Sequence, residues 1–270
     1  MSPASVFASG RTALITGGAN GIGFAVAQLC RKHQMKVSIV DSNPEYIKHA
    51  KTKLEDADYY EMDVTSPEAW SELKTKIGGA PDFLMLNSGI GLKGTYGDSE
   101  YFRKIFDVNF FGVVNGLNTF VPSISSEKKP VAIVITGSKQ GITNPPGNVA
   151  YNASKSAVKT LAEHLSWDLR DTGTSVHLLV PGWTYTGLSG NTPGTSKEKP
   201  EGAWWPDQVA DYLYQKMSEG KFYVICPDND VSEETDRKRM AWATGDIIEG
   251  RLPLSRWRTE YKEEVQKALG

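Results

Sequence analysis

Tyr151 and Lys155 stand four residues apart in Tyr151-Asn152-Ala153-Ser154-Lys155, so a helix through them would place a phenol and an ammonium on one face. A free tyrosine has a pKa of about 10, too high for ready proton exchange near neutrality. A fixed lysine beside it favours the phenolate and brings the group toward working range. The same pair is also common on solvated helices, so its meaning depends on what the rest of the chain positions around it.

The first positioning element lies near the N-terminus. Arg11-Thr12-Ala13-Leu14-Ile15-Thr16 is short, apolar and partly β-branched, the pattern of a buried strand. Gly17-Gly18-Ala19-Asn20-Gly21-Ile22-Gly23 follows, and then a helical pattern begins. Strand, glycine turn and helix let a pyrophosphate approach bare backbone amides at a helix N-terminus. The spacing is TGxxxGxG; in these flanks it reads as a dinucleotide site rather than a plain tight turn.

A second strand, Lys36-Val37-Ser38-Ile39-Val40-Asp41, ends in an acid 18 residues beyond Gly23. Such an acid can accept both ribose hydroxyls of an adenosine and would repel a 2′-phosphate. Asn20 and Ser42 occupy positions where Arg or Lys would be wanted for NADP, so the expected cofactor is NAD, with NADP the lesser alternative. The simpler reading of Asp41 is a strand-ending acid that caps residues 42–46.

These residues resemble the short-chain dehydrogenase/reductase family, with motifs in family order along nearly the whole chain. Residues 16–23 match its glycine-rich cofactor turn. Asp63-Val64 is similar to the acid that contacts adenine, and Leu86-Asn87-Ser88-Gly89 stands where the family often has Asn-Asn-Ala-Gly. Ser138 precedes Tyr151 by 13 residues, the family's usual interval, and Pro181-Gly182-Trp183-Thr184-Tyr185-Thr186 matches its PGxxxT segment. The resemblance implies a catalytic set of Asn109, Ser138, Tyr151 and Lys155. It also implies cofactor contacts from Gly17, Asn20, Gly21, Ile22, Gly23, Asp41, Asp63, Val64, Asn87, Gly89, Tyr151, Lys155, Pro181, Gly182, Thr184 and Thr186. Tyr151 would be the acid/base, Ser138 would hold the substrate oxygen, Lys155 the nicotinamide ribose, and Asn109 a relay water. Leu86, Ser88 and the Gly137-Ser138-Lys139-Gln140 stretch depart from the usual pattern, which leaves the local turn and the substrate side open.

The activity implied is NAD-dependent hydride transfer between nicotinamide and a secondary alcohol or ketone. A non-redox lyase or isomerase on the same scaffold and a non-catalytic NAD-binding protein are the alternatives. The intact Ser138–Tyr151–Lys155 set speaks against the last of these.

Strands are expected at 12–16, 36–41, 59–63, 83–87, 131–136, 175–180 and 222–226, with helices at 22–33, 67–76, 100–120, 151–170 and 207–218. This alternation implies an α/β, Rossmann-type doubly wound parallel sheet of about seven strands, one NAD(P)-binding domain over 1–270. Two segments break the alternation. Residues 183–206 carry seven glycines and prolines among Trp183, Tyr185, Leu188, Trp204 and Trp205. They read as a mobile lid over a hydrophobic or ring-containing substrate, with Gln140, Trp183, Tyr185 and Leu188 as candidate contacts. Alternatively, Trp204-Trp205 anchors the helix that follows. The extension at 227–270 contains Trp242, Trp257 and Tyr261, and its run Asp236-Arg237-Lys238-Arg239 reads as a solvated helix face.

Across 270 residues, hydrophobic content of 39% and a net charge of −2 give no electrostatic bias toward nucleic acid or lipid. No apolar run approaches the ~20 residues of a membrane span, and residues 1–7 lack a secretory pattern. Cys30 and Cys226 form no CxxC and read as reduced, cytoplasmic thiols. His33, His49, His164 and His177 are scattered, with no metal-ligand spacing. Asn152-Ala153-Ser154 is formally a glycosylation sequon but lies within the helix of Tyr151. The family's habit implies a homodimer or homotetramer built on that helix.

Overall fold

A computed structural model of the protein describes residues 3–126, 129–194 and 198–270. Residues 195–197 of the expected substrate loop lie outside the described residues.

Each expected strand is present: β1 Thr12–Thr16, β2 Lys36–Asp41, β3 Asp58–Glu61, β4 Phe83–Leu86, β5 Val131–Thr136, β6 Thr174–Val180 and β7 Tyr223–Ile225. They form one parallel sheet in the order β3-β2-β1-β4-β5-β6-β7. β5 is buried along its whole length, as a central strand covered on both faces must be.

The helices are α1 Gly21–Lys32, α2 Pro44–Lys51, α3 Pro67–Lys76, α4 Ser99–Phe106, α5 Gly112–Ser126, α6 Gln140–Thr143, α7 Val149–Asp168, α8 Pro206–Ser218, α9 Glu233–Ile248 and α10 Lys262–Leu269. Side-chain alternation along the strands divides the core in two. Ile15, Ile39, Met85 and Val134 pack with residues of α1, α2 and α8. Leu14, Val40, Leu84 and Ile133 pack with residues of α3, α5 and α7 on the other face. The chain leaves the β3 edge and returns to pair β4 with β1. That reversal opens a crevice beyond the strand ends, where α/β sheets bind their ligands.

Three differences from the expected elements matter. The single helix expected at 100–120 is α4, a π-helical turn Asp107–Phe111, and α5, which continues through Pro122 to Ser126. The π turn holds Asn109, and such bulges recur at functional sites. α2, α6 and α10 were not among the expected helices, and α9 contains the helix face expected at 236–239. For α2 the start signal was present: Asn43 accepts from the Glu45 and Tyr46 amides and Pro44 sits in the first turn. Finally, Asp236 is not on a solvated face. It is buried in α9, while Arg237 and Lys238 are exposed.

Candidate active site

The C-terminal ends of β1, β2, β4, β5 and β6 lead into one cleft of about 800 Å³. Its lining includes every expected cofactor residue except Gly23, together with Ser138, Gln140, Trp183 and Leu188. Asn109 and Tyr185 do not line it.

At one end, Gly17 and Gly21 adopt positive φ, +59° and +55°, and turn the chain from β1 into α1. Asn20 caps that helix: its Oδ1 accepts from the Gly21 amide at 2.8 Å, and its Nδ2 donates to Asn191 O at 3.3 Å. Gly23 lies behind the turn, where an added Cβ would run into the Gly17 carbonyl oxygen and come within 2.8 Å of Asn87 Nδ2. The arrangement fits a pyrophosphate held on backbone amides, because the turn closes only without side chains there. Gly23→Ala is expected to destabilise the fold by about 1–3 kcal/mol and to weaken NADH binding, as thermal melts and a fluorescence titration would read. Parental values in both would refute the tight packing.

Asp41 lines the cleft at the end of β2. Its Oδ2 accepts from Ala19 N at 3.2 Å and its Oδ1 from Asn43 N at 3.1 Å. Burial pushes its carboxyl above the ordinary range, opposed by those amides. Asp63 receives the Thr65 amide at 2.9 Å.

Asn87 ties the strand ends together. Its Nδ2 donates to Thr16 O at 3.1 Å and to Gly17 O at 3.3 Å, and its Oδ1 accepts from Thr136 Oγ1 at 3.0 Å. The Leu86 departure leaves these bonds intact: Leu86 is the buried last residue of β4, and the side-chain amide of the clamp comes from Asn87. Sequence reasoning missed Thr16 and Thr136, the threonines that end β1 and β5 and complete it.

Tyr151 lies in the first turn of α7, two residues later in the helix than expected, and Lys155 lies one turn on. Ser138 stands on the phenol side of Tyr151, and its Oγ accepts from Gln140 N at 3.2 Å. Burial raises the Tyr151 pKa, and the neighbouring Ser138 hydroxyl only partly offsets it. The buried Lys155 ammonium donates to Thr136 O at 2.9 Å and sits 5.7 Å from the Tyr151 ring centre. Burial brings its pKa down to about 8. In the protein alone, burial is the largest influence on the Tyr151 phenol.

Asn109 Oδ1 accepts from Ile90 N at 2.8 Å, while Nδ2 donates to Ile90 O at 3.1 Å and Ser154 Oγ at 3.2 Å. A Cβ on Gly89 would lie 3.4 Å from Asn109 Oδ1 and 3.5 Å from Lys155 Nζ, so both atoms face the same space. Asn152 is buried, with Nδ2 donating to Pro145 O at 2.6 Å, which leaves no place for a glycan.

The 183–206 segment is pinned at both ends. Tyr185 N donates to Trp204 O at 2.9 Å and Trp204 N to Trp183 O at 2.8 Å. Tyr185 is buried against Trp205, which corrects its assignment as a substrate contact. Trp204 packs on Tyr212 and anchors α8. Trp183 and Leu188 remain at the cleft with substantial exposure. Cys226 is buried core filling, its thiol pushed up to about 12 by burial.

Residues 11–196 match the family model for short chain dehydrogenases. The chain is 27% identical to 1-deoxy-11-beta-hydroxypentalenate dehydrogenase of Streptomyces avermitilis, over 79% of its own length and 83% of the relative's. It is 30% identical to a 3-dehydrosphinganine reductase of Arabidopsis thaliana, over 80% and 70%. A short chain dehydrogenase/reductase from Burkholderia phymatum, solved with NAD, shares the fold at a TM-score of 0.79 with 24% identity, covering 91% of this chain and 96% of that one.

Proposed function

The chain belongs to the short-chain dehydrogenase family of oxidoreductases that act on CH–OH groups, and from that premise we propose that it is an NAD-dependent dehydrogenase of a hydrophobic or ring-containing secondary alcohol. The observation that carries this reading is the placement of Tyr151, Ser138 and Lys155 in one cleft with the glycine turn. The nicotinamide, when bound, exchanges a hydride with the carbinol carbon.

The protein's own groups handle the proton. In oxidation the Tyr151 phenolate takes the proton of the substrate hydroxyl; in reduction the phenol returns it. Ser138 holds the substrate oxygen beside that phenol, contributing orientation. Lys155 and Asn109, facing one space beside Gly89, fit a water-bridged path that carries the proton outward. Trp183 and Leu188 supply apolar surface to the cleft, and the hydroxypentalenate and dehydrosphinganine in the names of the two relatives above support a largely hydrocarbon substrate.

The NAD preference rests on Asp41 and on what lies near it. Among the described residues, Lys139 and Lys155 are the Lys or Arg side chains lining the cleft, and both are engaged elsewhere. A 2′-phosphate would therefore meet a carboxylate and no free cation. Asp41→Ala is expected to shift the NAD over NADP ratio of kcat/KM at least about tenfold toward NADP. An unchanged ratio would make Asp41 a capping acid and nothing more.

We also propose that the whole chain acts as one cofactor-binding domain, soluble in the cytoplasm and assembled as a dimer or tetramer through α7, where Trp167 is exposed. Among the described residues no helix is long and apolar enough to cross a membrane.

A further inference from the structure

Lys139 directly follows Ser138 and lines the cleft, yet its ammonium is committed to two carboxylates. Nζ lies 2.6 Å from Asp236 Oδ2, an ion contact, and 3.5 Å from Asp228 Oδ2. Little of the three side chains is exposed: 15% for Lys139, 3% for Asp236 and 5% for Asp228, with Asp236 the buried residue of the three. Both acids come from the segment beyond β7, Asp228 in the turn and Asp236 on α9, which packs against α6.

Asp228 does a second job. Its Oδ2 accepts the Trp183 amide at 2.9 Å, while its Oδ1 accepts Asp230 N at 3.1 Å. A Cβ on Gly182 would sit 2.6 Å from Asp228 Oδ2 and 2.9 Å from Lys139 Nζ, so the ion cluster lies directly against that turn. One ammonium therefore joins the chain after β5, the turn after β6 and the segment after β7. The two carboxylates share this one ammonium at the cleft edge, Asp236 with Arg239 as a further cation nearby.

We infer that Lys139 is a positioning residue, which through Asp228 and Asp236 fastens the Gly182-Trp183 turn and α9 to the strand end that carries Ser138. The inference rests on the proposed reading of this cleft as the substrate site. It makes the C-terminal extension a brace behind the Gly182-Trp183 turn of that site.

The test compares the full-length parent with Lys139→Met and with Lys139→Met/Asp236→Leu, the second removing the nearer of the two carboxylates that the first strands. Amide exchange over residues 181–190, read by mass spectrometry, is expected to quicken at least about tenfold in both variants, with residues 149–168 unchanged. With NAD and 1-phenylethanol as probe, KM is expected to rise about tenfold while kcat stays within about threefold. The double variant should recover part of the melting temperature lost by the single one but not the KM. Parental exchange over 181–190 in the folded double variant would overturn the tie. A KM that returns with the melting temperature would reduce Lys139 to a structural residue and overturn the positioning role. If the parent does not turn over the probe, the proposed activity toward it fails on its own, and the exchange comparison still decides the tie.

Discussion

Tyr151→Phe is expected to lower kcat about a thousandfold while leaving the dissociation constant for NADH unchanged, which fluorescence titration and initial rates would read together. Phenylalanine keeps the ring that fills the site and removes only the hydroxyl that meets Ser138. The loss should therefore be almost wholly in the chemical step. Burial raises the Tyr151 pKa in the protein alone, and Lys155 spends its ammonium on Thr136 O. The phenol is thus protonated until further positive charge enters the cleft. The sign of the pH dependence follows: oxidation needs the phenolate and should quicken as pH rises, whereas reduction needs the phenol and should slow. Both limbs should vanish in the phenylalanine variant. Retention of more than about a tenth of the activity would remove Tyr151 from the role of acid/base.

Lys155→Met should cost about a hundredfold in kcat and also weaken NADH binding, because the lysine faces both the phenol and the cleft. Its stability signature is separate from activity. Burial lowers the Lys155 pKa from 10.5 to about 8. Between those values the unfolded chain holds the proton that the folded chain has released, so raising the pH stabilises the folded parent. Methionine has nothing to titrate. The melting temperature of the parent relative to the variant should therefore climb as pH passes through that window. A flat difference would mean that Lys155 is not a buried titratable group.

β1, β2, β4 and β5 were legible because each is a short, largely apolar run closed by Thr16, Asp41, Asn87 or Thr136 at the strand end. Edge strands were less so: β3 and β7 came out shorter than expected, since pairing on one side leaves their ends to the loops. The π turn at Asn109 left no mark in the pattern, because a helix that gains one residue keeps its apolar face on average. The cleft residues were legible through motif and register, down to Ser138 and Thr186. Tyr185 was misjudged because an aromatic in a glycine-rich loop serves as readily to pin the loop as to touch a ligand; its ring meets Trp205. Asp236 was misjudged for a related reason. Its charged neighbours Arg237 and Lys238 face solvent, and only the fold brings Lys139, 97 residues earlier, to its side.

The measurement that bears most directly on the central claim is the nicotinamide absorbance of purified protein supplied with a panel of secondary alcohols and NAD, or ketones and NADH, while product is followed independently. A stoichiometric change in absorbance with product, lost in Tyr151→Phe, is the predicted result. Conversion of a panel compound with no net change in nicotinamide absorbance would contradict it and make the protein an elimination or isomerisation catalyst on the same scaffold.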